Sequence, residues 1–186
     1  MTEGRWPFAD RWDRALTYDD FEREAADEHR GLWQAIARLA RVPTWAVDQA
    51  AALPGRFRLV VLSEDWCGDA VNTVPVLAKW AAAAPNVELR ILRRDEHPAV
   101  MDRYLTGTAR AIPVVIALTE ELAELGWWGP RPRELQAYVS EQRRLGREQQ
   151  AMYPETRRWY AKDKGETTLR EVLEIMQRAP ATAQPR

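Results

Sequence analysis

The sequence has a single cysteine, Cys67, only two histidines, and almost no net charge, with 27 basic residues set against 28 acidic ones. One cysteine excludes an internal disulfide, so any redox chemistry needs a second molecule. The charge balance gives no electrostatic case for nucleic acid or for an anionic membrane as partner. Long apolar runs are also missing. The longest, Pro113 to Leu118 and the alanines at 81 to 84, fall far short of the ~20 residues that span a bilayer. The start, Met1-Thr2-Glu3-Gly4-Arg5-Trp6-Pro7, has no secretory apolar region, and the expectation is a cytoplasmic protein. Glycine-rich phosphate loops, nucleotide motifs and zinc-ligand clusters are absent, so no cofactor and no metal is expected.

What remains is an ordinary globular composition, 46% hydrophobic and 30% charged over 186 residues, enough for one domain with extensions. The chain is organised around Leu59-Val60-Val61-Leu62-Ser63-Glu64-Asp65-Trp66-Cys67-Gly68-Asp69-Ala70. Four apolar residues, two of them β-branched, predict a buried strand. Three polar residues follow, and then Cys67 stands where a helical pattern begins. Lone cysteines are more often small buried hydrophobes than reactive thiols. At a helix N-terminus, however, unpaired backbone N–H groups and the helix dipole favour a thiolate.

Around that stretch the pattern predicts, in order, an irregular surface segment over 1–16 and a helix capped by Thr17 and running to about Arg41. Phe21, Leu32, Ile36 and Leu39 share the face that this helix should bury. A shorter helix from Thr44 to Leu53 ends at the Pro54-Gly55 turn. A strand over 56–62, a helix from Cys67 to about Ala84 interrupted by Pro75, and a strand over 87–92 form a βαβ unit. A short helix over 99–104 leads to Ile112-Pro113, an apolar strand over 114–118 and an antiparallel strand over 121–128. Helix 133–145 is followed by a charged helical stretch over 147–162 that Pro154 should kink or divide. A last helix is opened by the capping-box pattern Thr168-Leu169-Arg170-Glu171, with Val172, Leu173 and Met176 on its buried face. His29 and His97 lack any partner at metal or catalytic spacing.

This order of elements, with Trp66-Cys67-Gly68 at the first strand-to-helix turn, Pro75 inside the following helix and Ile112-Pro113 before the third strand, resembles the thioredoxin superfamily. The segments Ser63–Ala70, Arg110-Ala111-Ile112-Pro113 and Trp128-Gly129-Pro130-Arg131-Pro132 are similar to a group of bacterial members with helical extensions at both ends. The resemblance implies an α/β thioredoxin-like fold, a central mixed sheet flanked by helices, with extra N- and C-terminal helices. It divides the single domain into an N-terminal helical extension (1–54), a core (55–146), a C-terminal helical extension (147–178) and a disordered tail (179–186). It also implies a cis bond at Ile112-Pro113, with Pro113 facing the sulfur. Cys67 would be the nucleophile, with Trp66, Gly68, Asp69, Ile112 and Pro113 as substrate-binding residues.

The departures from the family pattern limit the chemistry. Ala70 stands where a resolving cysteine would be, and Val61 where thioredoxin has a buried aspartate. Asp69 replaces the motif proline and brings a carboxylate toward the sulfur, which should raise the thiol pKa, as would Glu64 or Asp65 if turned inward. Glu64 also stands where peroxiredoxins carry Thr or Ser, and Thr73 where a Cys-x5-Arg phosphatase loop needs Arg. A monothiol cycle through Cys67 mixed disulfides with a protein or low-molecular-weight thiol or disulfide is one expectation. The other is a non-catalytic module that binds a partner in the groove beside Pro113. Neither reading calls for nucleic acid or a membrane, and the sequence does not fix an oligomeric state.

Overall fold

The computed structural model describes residues 5–179, and its central strand is β1 (Phe57–Ser63), buried without a break from Leu59 to Ser63. A strand covered on both faces needs apolar residues at successive positions, so its sequence reads as a run and not as an alternation. On one side β1 pairs in parallel with β2 (Val87–Arg93), Val61 opposite Ile91. On the other side it pairs antiparallel with β3 (Val114–Thr119), which in turn pairs antiparallel with β4 (Glu124–Trp128). The order β2-β1-β3-β4 makes a mixed sheet flanked by helices, the expected α/β architecture. The crossover from β1 to β2 is α4 (Gly68–Ala83), with Cys67 as its N-cap and Pro75 inside it. None of the described helices is long and apolar enough to cross a membrane.

The N-terminal helix is divided, contrary to the expectation of one helix to Arg41. Thr17 does cap, its Oγ1 accepting from the Asp20 N–H at 3.1 Å, but α1 covers only Tyr18–Arg23 and α2 runs from Asp27 to Leu39. The break is set from outside the segment. Asp65, two residues before Cys67, accepts the Ala26 N–H at 2.6 Å, and its carbonyl accepts the Trp33 indole N–H at 2.7 Å. The predicted inward face is therefore split. Phe21 is fully buried, whereas Leu32 and Leu39 remain 53% and 71% exposed. Helix α3 (Thr44–Ala51) follows.

From Arg5 to Leu16 the chain is more ordered than the irregular surface wrap expected over 1–16. Ala9–Arg14 form a 3-10 helix, and Trp6 and Trp12 belong to the core. Trp6 donates its indole N–H to the Tyr104 hydroxyl at 2.8 Å. Leu16 and Ile91 exchange two backbone hydrogen bonds of 2.8 Å along the free side of β2.

Helix α5 (Pro98–Met101) is shorter than expected, and α6 spans Arg133–Arg144. After a 3-10 turn at Gln149–Met152, Pro154 lies in the first turn of α7 (Tyr153–Asp163), so the charged stretch is divided there. Helix α8 (Glu166–Met176) begins behind Gly165, not at the Thr168 capping box. Thr168 and Glu171 lie inside it, both buried, because Glu171 is recruited by the core. Its carboxylate accepts the Trp128 indole N–H at 2.7 Å and the Arg133 backbone N–H at 3.1 Å. Glu171→Ala should therefore lower stability by about 1–3 kcal/mol, the cost of orphaning a buried donor. Chemical denaturation checks this, and a loss within experimental error would show that water replaces the carboxylate. Val172, Leu173 and Met176 are buried, as their spacing required. Residues 180–186, nearly all of the expected disordered tail, lie outside the described residues.

Candidate functional site

The site forms where β1 ends and α4 begins. Cys67 leaves the strand in extended conformation (φ −81°, ψ 116°) and its carbonyl accepts the first helical N–H, that of Val71. Its side chain is only 8% exposed. The thiol donates to the Ile112 carbonyl oxygen at 3.4 Å, so the Ile112–Pro113 peptide, which is cis, lies directly against the sulfur. Positions 45 residues apart in sequence thus meet, as the resemblance implied.

Burial is the main reason that the Cys67 thiol is pushed up to about 11. Backbone N–H groups of Ala70 and Asp69 at the helix start pull the other way, as does Arg131, while the Asp69 charge adds to the rise. Asp69 acts in the expected direction but is not the leading cause. Its charge is largely committed elsewhere. One carboxylate oxygen pairs with an Arg131 guanidinium nitrogen at 2.5 Å, and the other accepts the Tyr160 hydroxyl at 2.9 Å. Burial and this carboxylate hold Tyr160 well above the ordinary tyrosine range, so its hydroxyl remains a donor.

Glu64 and Asp65, the other acids before the cysteine, are occupied away from the sulfur. Glu64 is buried, accepts the Asp95 N–H at 2.8 Å and lies 3.9 Å from Arg93, and burial raises its pKa. Asp65 holds the α1–α2 junction as described above. Trp66 is half exposed, with the Arg94 guanidinium carbon 4.8 Å from its ring centroid. Gly68 is exposed at the first turn of α4, and nothing lies within 4 Å of where a Cβ would stand. His29 and His97 do not line the hollow at Cys67, and no group of three or more potential metal ligands occurs among the described residues.

The hollow that contains Cys67 measures about 270 Å³ and is bounded by Trp66, Gly68, Asp69, Arg131, Met152 and Tyr160, among others. Arg131 and Tyr160 were not among the residues singled out from sequence. Arg131 stands in the quoted Trp128–Pro132 segment but gave no sign of its partner. Tyr160 is 91 residues from Asp69 and reaches it because α7 folds back over the start of α4.

No curated protein matches the sequence. A crystal structure of a protein of unknown function from Pseudomonas aeruginosa is similar over 93% of this chain and 98% of its own, with TM-score 0.74 and 23% identity. An HIV epitope-scaffold protein is similar over 93% of this chain and 99% of its own, with TM-score 0.72 and 21% identity. At such identities these likenesses establish the fold. The sequence-level match is to the family model described as Thioredoxin, and since it runs from residue 15 to residue 150 it takes in the cysteine, the cis-proline and most of the chain, which belongs to the thioredoxin family.

Proposed function

We propose that the chain is a non-catalytic binding module of the thioredoxin fold, holding a partner in the groove beside Pro113 while Cys67 stays protonated. The state of the thiol carries this reading. The sulfur is buried, gives its hydrogen to the Ile112 carbonyl, and has a pKa of about 11. Such a thiol is almost wholly protonated at pH 7, whereas an ordinary cysteine is a few per cent thiolate. The greater intrinsic nucleophilicity of a more basic sulfur offsets only part of that deficit, so attack on a disulfide is slowed. A resolving residue is also absent, Ala70 occupying its place. Trp66, half exposed beside Cys67, and the Ile112–Pro113 backbone would then contact the partner.

The rate of iodoacetamide alkylation against pH tests this. The folded protein should show a midpoint near 11, and the urea-unfolded chain an ordinary value near 8.5. A folded midpoint at or below about 7 would overturn the reading, because burial would then have lost to the helix start.

A second reading is monothiol exchange, favoured by the opening of Cys67 onto the hollow of about 270 Å³ beside the cis-proline. Cys67 thiolate would attack a protein or low-molecular-weight disulfide, the substrate S–S bond breaking as the mixed disulfide forms. The other half of the substrate leaves as the reduced thiol, and an external thiol then attacks the sulfur bound to Cys67, releasing Cys67 and being itself oxidised into a disulfide with that group. A reducing compartment would supply that external thiol. Mixed-disulfide formation lost in Cys67→Ser would support it over the binding module.

A further inference from the structure

Beside the Cys67 hollow lies a larger trough, and three helices each turn one stripe of residues into it. Helix α2 supplies Leu32, Ile36 and Leu39; α4 supplies Gly68, Val71 and Val76. Helix α7 supplies Arg157, Tyr160 and Ala161, and Lys164 follows as its left-handed C-cap. Every stripe has the spacing of a single helical face. The trough measures about 570 Å³, within the roughly 300–1,000 Å³ usual for small-molecule sites. Leu32, Gly68, Arg157 and Tyr160 line both hollows, which therefore meet at the Cys67 end. Leu39, Arg41, Val76 and Lys164 line only the part away from it. From Gly68 to Val76 the helix advances about 12 Å at ~1.5 Å per residue, which sets the length of the floor.

The lining is apolar with charge of one sign. Leu32 and Leu39 leave 53% and 71% of their surface in water, an unusual state for two large side chains on one wall of a cavity. The charged residues that line the trough are Arg41, Arg157 and Lys164; no aspartate or glutamate does, although the chain holds 28 acidic residues. Arg131, which lines the adjoining hollow, pairs with Asp69, whereas Arg157 and Lys164 pair with no carboxylate among the described residues. Arg41 donates only to the backbone carbonyls of Arg38 and Ala40.

We propose that this trough binds a free medium-chain carboxylate, its hydrocarbon chain lying over Leu39, Ile36, Val71 and Leu32 and its carboxylate held between Arg41 and Lys164. Two cations line the far part alone, and the Cys67 end already contains the Asp69 carboxylate, so the charged end of the ligand belongs at the far end. The proposal does not rest on either reading of Cys67.

Isothermal titration of the full chain with dodecanoate below its micellar concentration tests it. Saturable one-site binding at micromolar concentration is expected, at least tenfold tighter than for dodecyltrimethylammonium. Leu39→Glu, at an exposed position, and the double variant Arg41→Ala/Lys164→Ala should each weaken binding at least tenfold, with unchanged thermal melts showing an intact fold. Equal affinity for the anionic and cationic amphiphiles, or wild-type affinity in both variants, would overturn the proposal. So would failure to bind dodecanoate, with or without binding to phosphatidylglycerol vesicles or to an amphipathic peptide.

Discussion

Ala70→Cys should close a disulfide with Cys67 under mildly oxidising conditions, taking the protein from two thiols to none when they are counted in denaturant. Position 70 stands one helical turn beyond the sulfur and on its side of α4, and its backbone N–H already bonds toward the Cys67 sulfur. The added sulfur enters a fully buried site, so the reduced variant should lose about 1–3 kcal/mol to overpacking. Both positions are buried, so thiols are counted after the oxidised protein is unfolded in denaturant without reductant, which reads the bond directly. Two persistent free thiols would mean that the start of α4 is not shaped for a two-residue disulfide loop. The same variant separates the two readings of function. Under the binding-module reading it forms the bond but turns over no insulin disulfide; under monothiol exchange it gains turnover that wild type lacks.

Arg131→Met should destabilise the protein by about 3 kcal/mol, since removing one partner leaves a largely buried charge uncompensated. The Asp69 and Arg131 side chains are 14% and 9% exposed, so little water is at hand to replace the guanidinium. The loss should appear as a lower denaturation midpoint without change in the denaturant slope. Pairing the substitution with Asp69→Asn should recover much of the loss, because the orphaned charge is removed too. The Cys67 thiol should respond in opposite directions, rising in Arg131→Met and falling in Asp69→Asn, following the sign of each charge's effect on it. A single-variant loss below about 1 kcal/mol would class the pair with solvent-exposed ion pairs.

The parts of the molecule legible from sequence are those governed by local pattern. The run from Leu59 to Leu62, the alternation from Val87 to Ile91 and the stretch from Val114 to Leu118 are β1, β2 and β3. Cys67 and Ile112–Pro113 could be brought together because family motifs carry long-range geometry that spacing alone does not. What escaped was set by single side chains acting across the chain. Asp65 takes the Ala26 N–H and cuts a helix whose own periodicity runs on. Glu171, in a pattern fit for capping its own helix, serves Trp128 and Arg133 instead. Arg131 and Tyr160 carry no local sign of sharing one carboxylate, and Leu32 and Leu39 have the spacing of core residues but face a trough.

The strap formed by residues 5–16 bears on solubility. An open strand edge is a template on which another chain can add, and a sheet ordered β2-β1-β3-β4 has two of them. At the β2 margin Leu16 occupies the donor and acceptor of Ile91, which sits midway along the strand. Toward the other margin, Arg5 bridges Ala123 and the Trp6 N–H bonds the Leu122 carbonyl, just ahead of β4, itself only five residues long. The same short segment, fastened by two buried tryptophans, thus blunts one edge and ties down the approach to the other, leaving no long uninterrupted ladder for a second copy to extend.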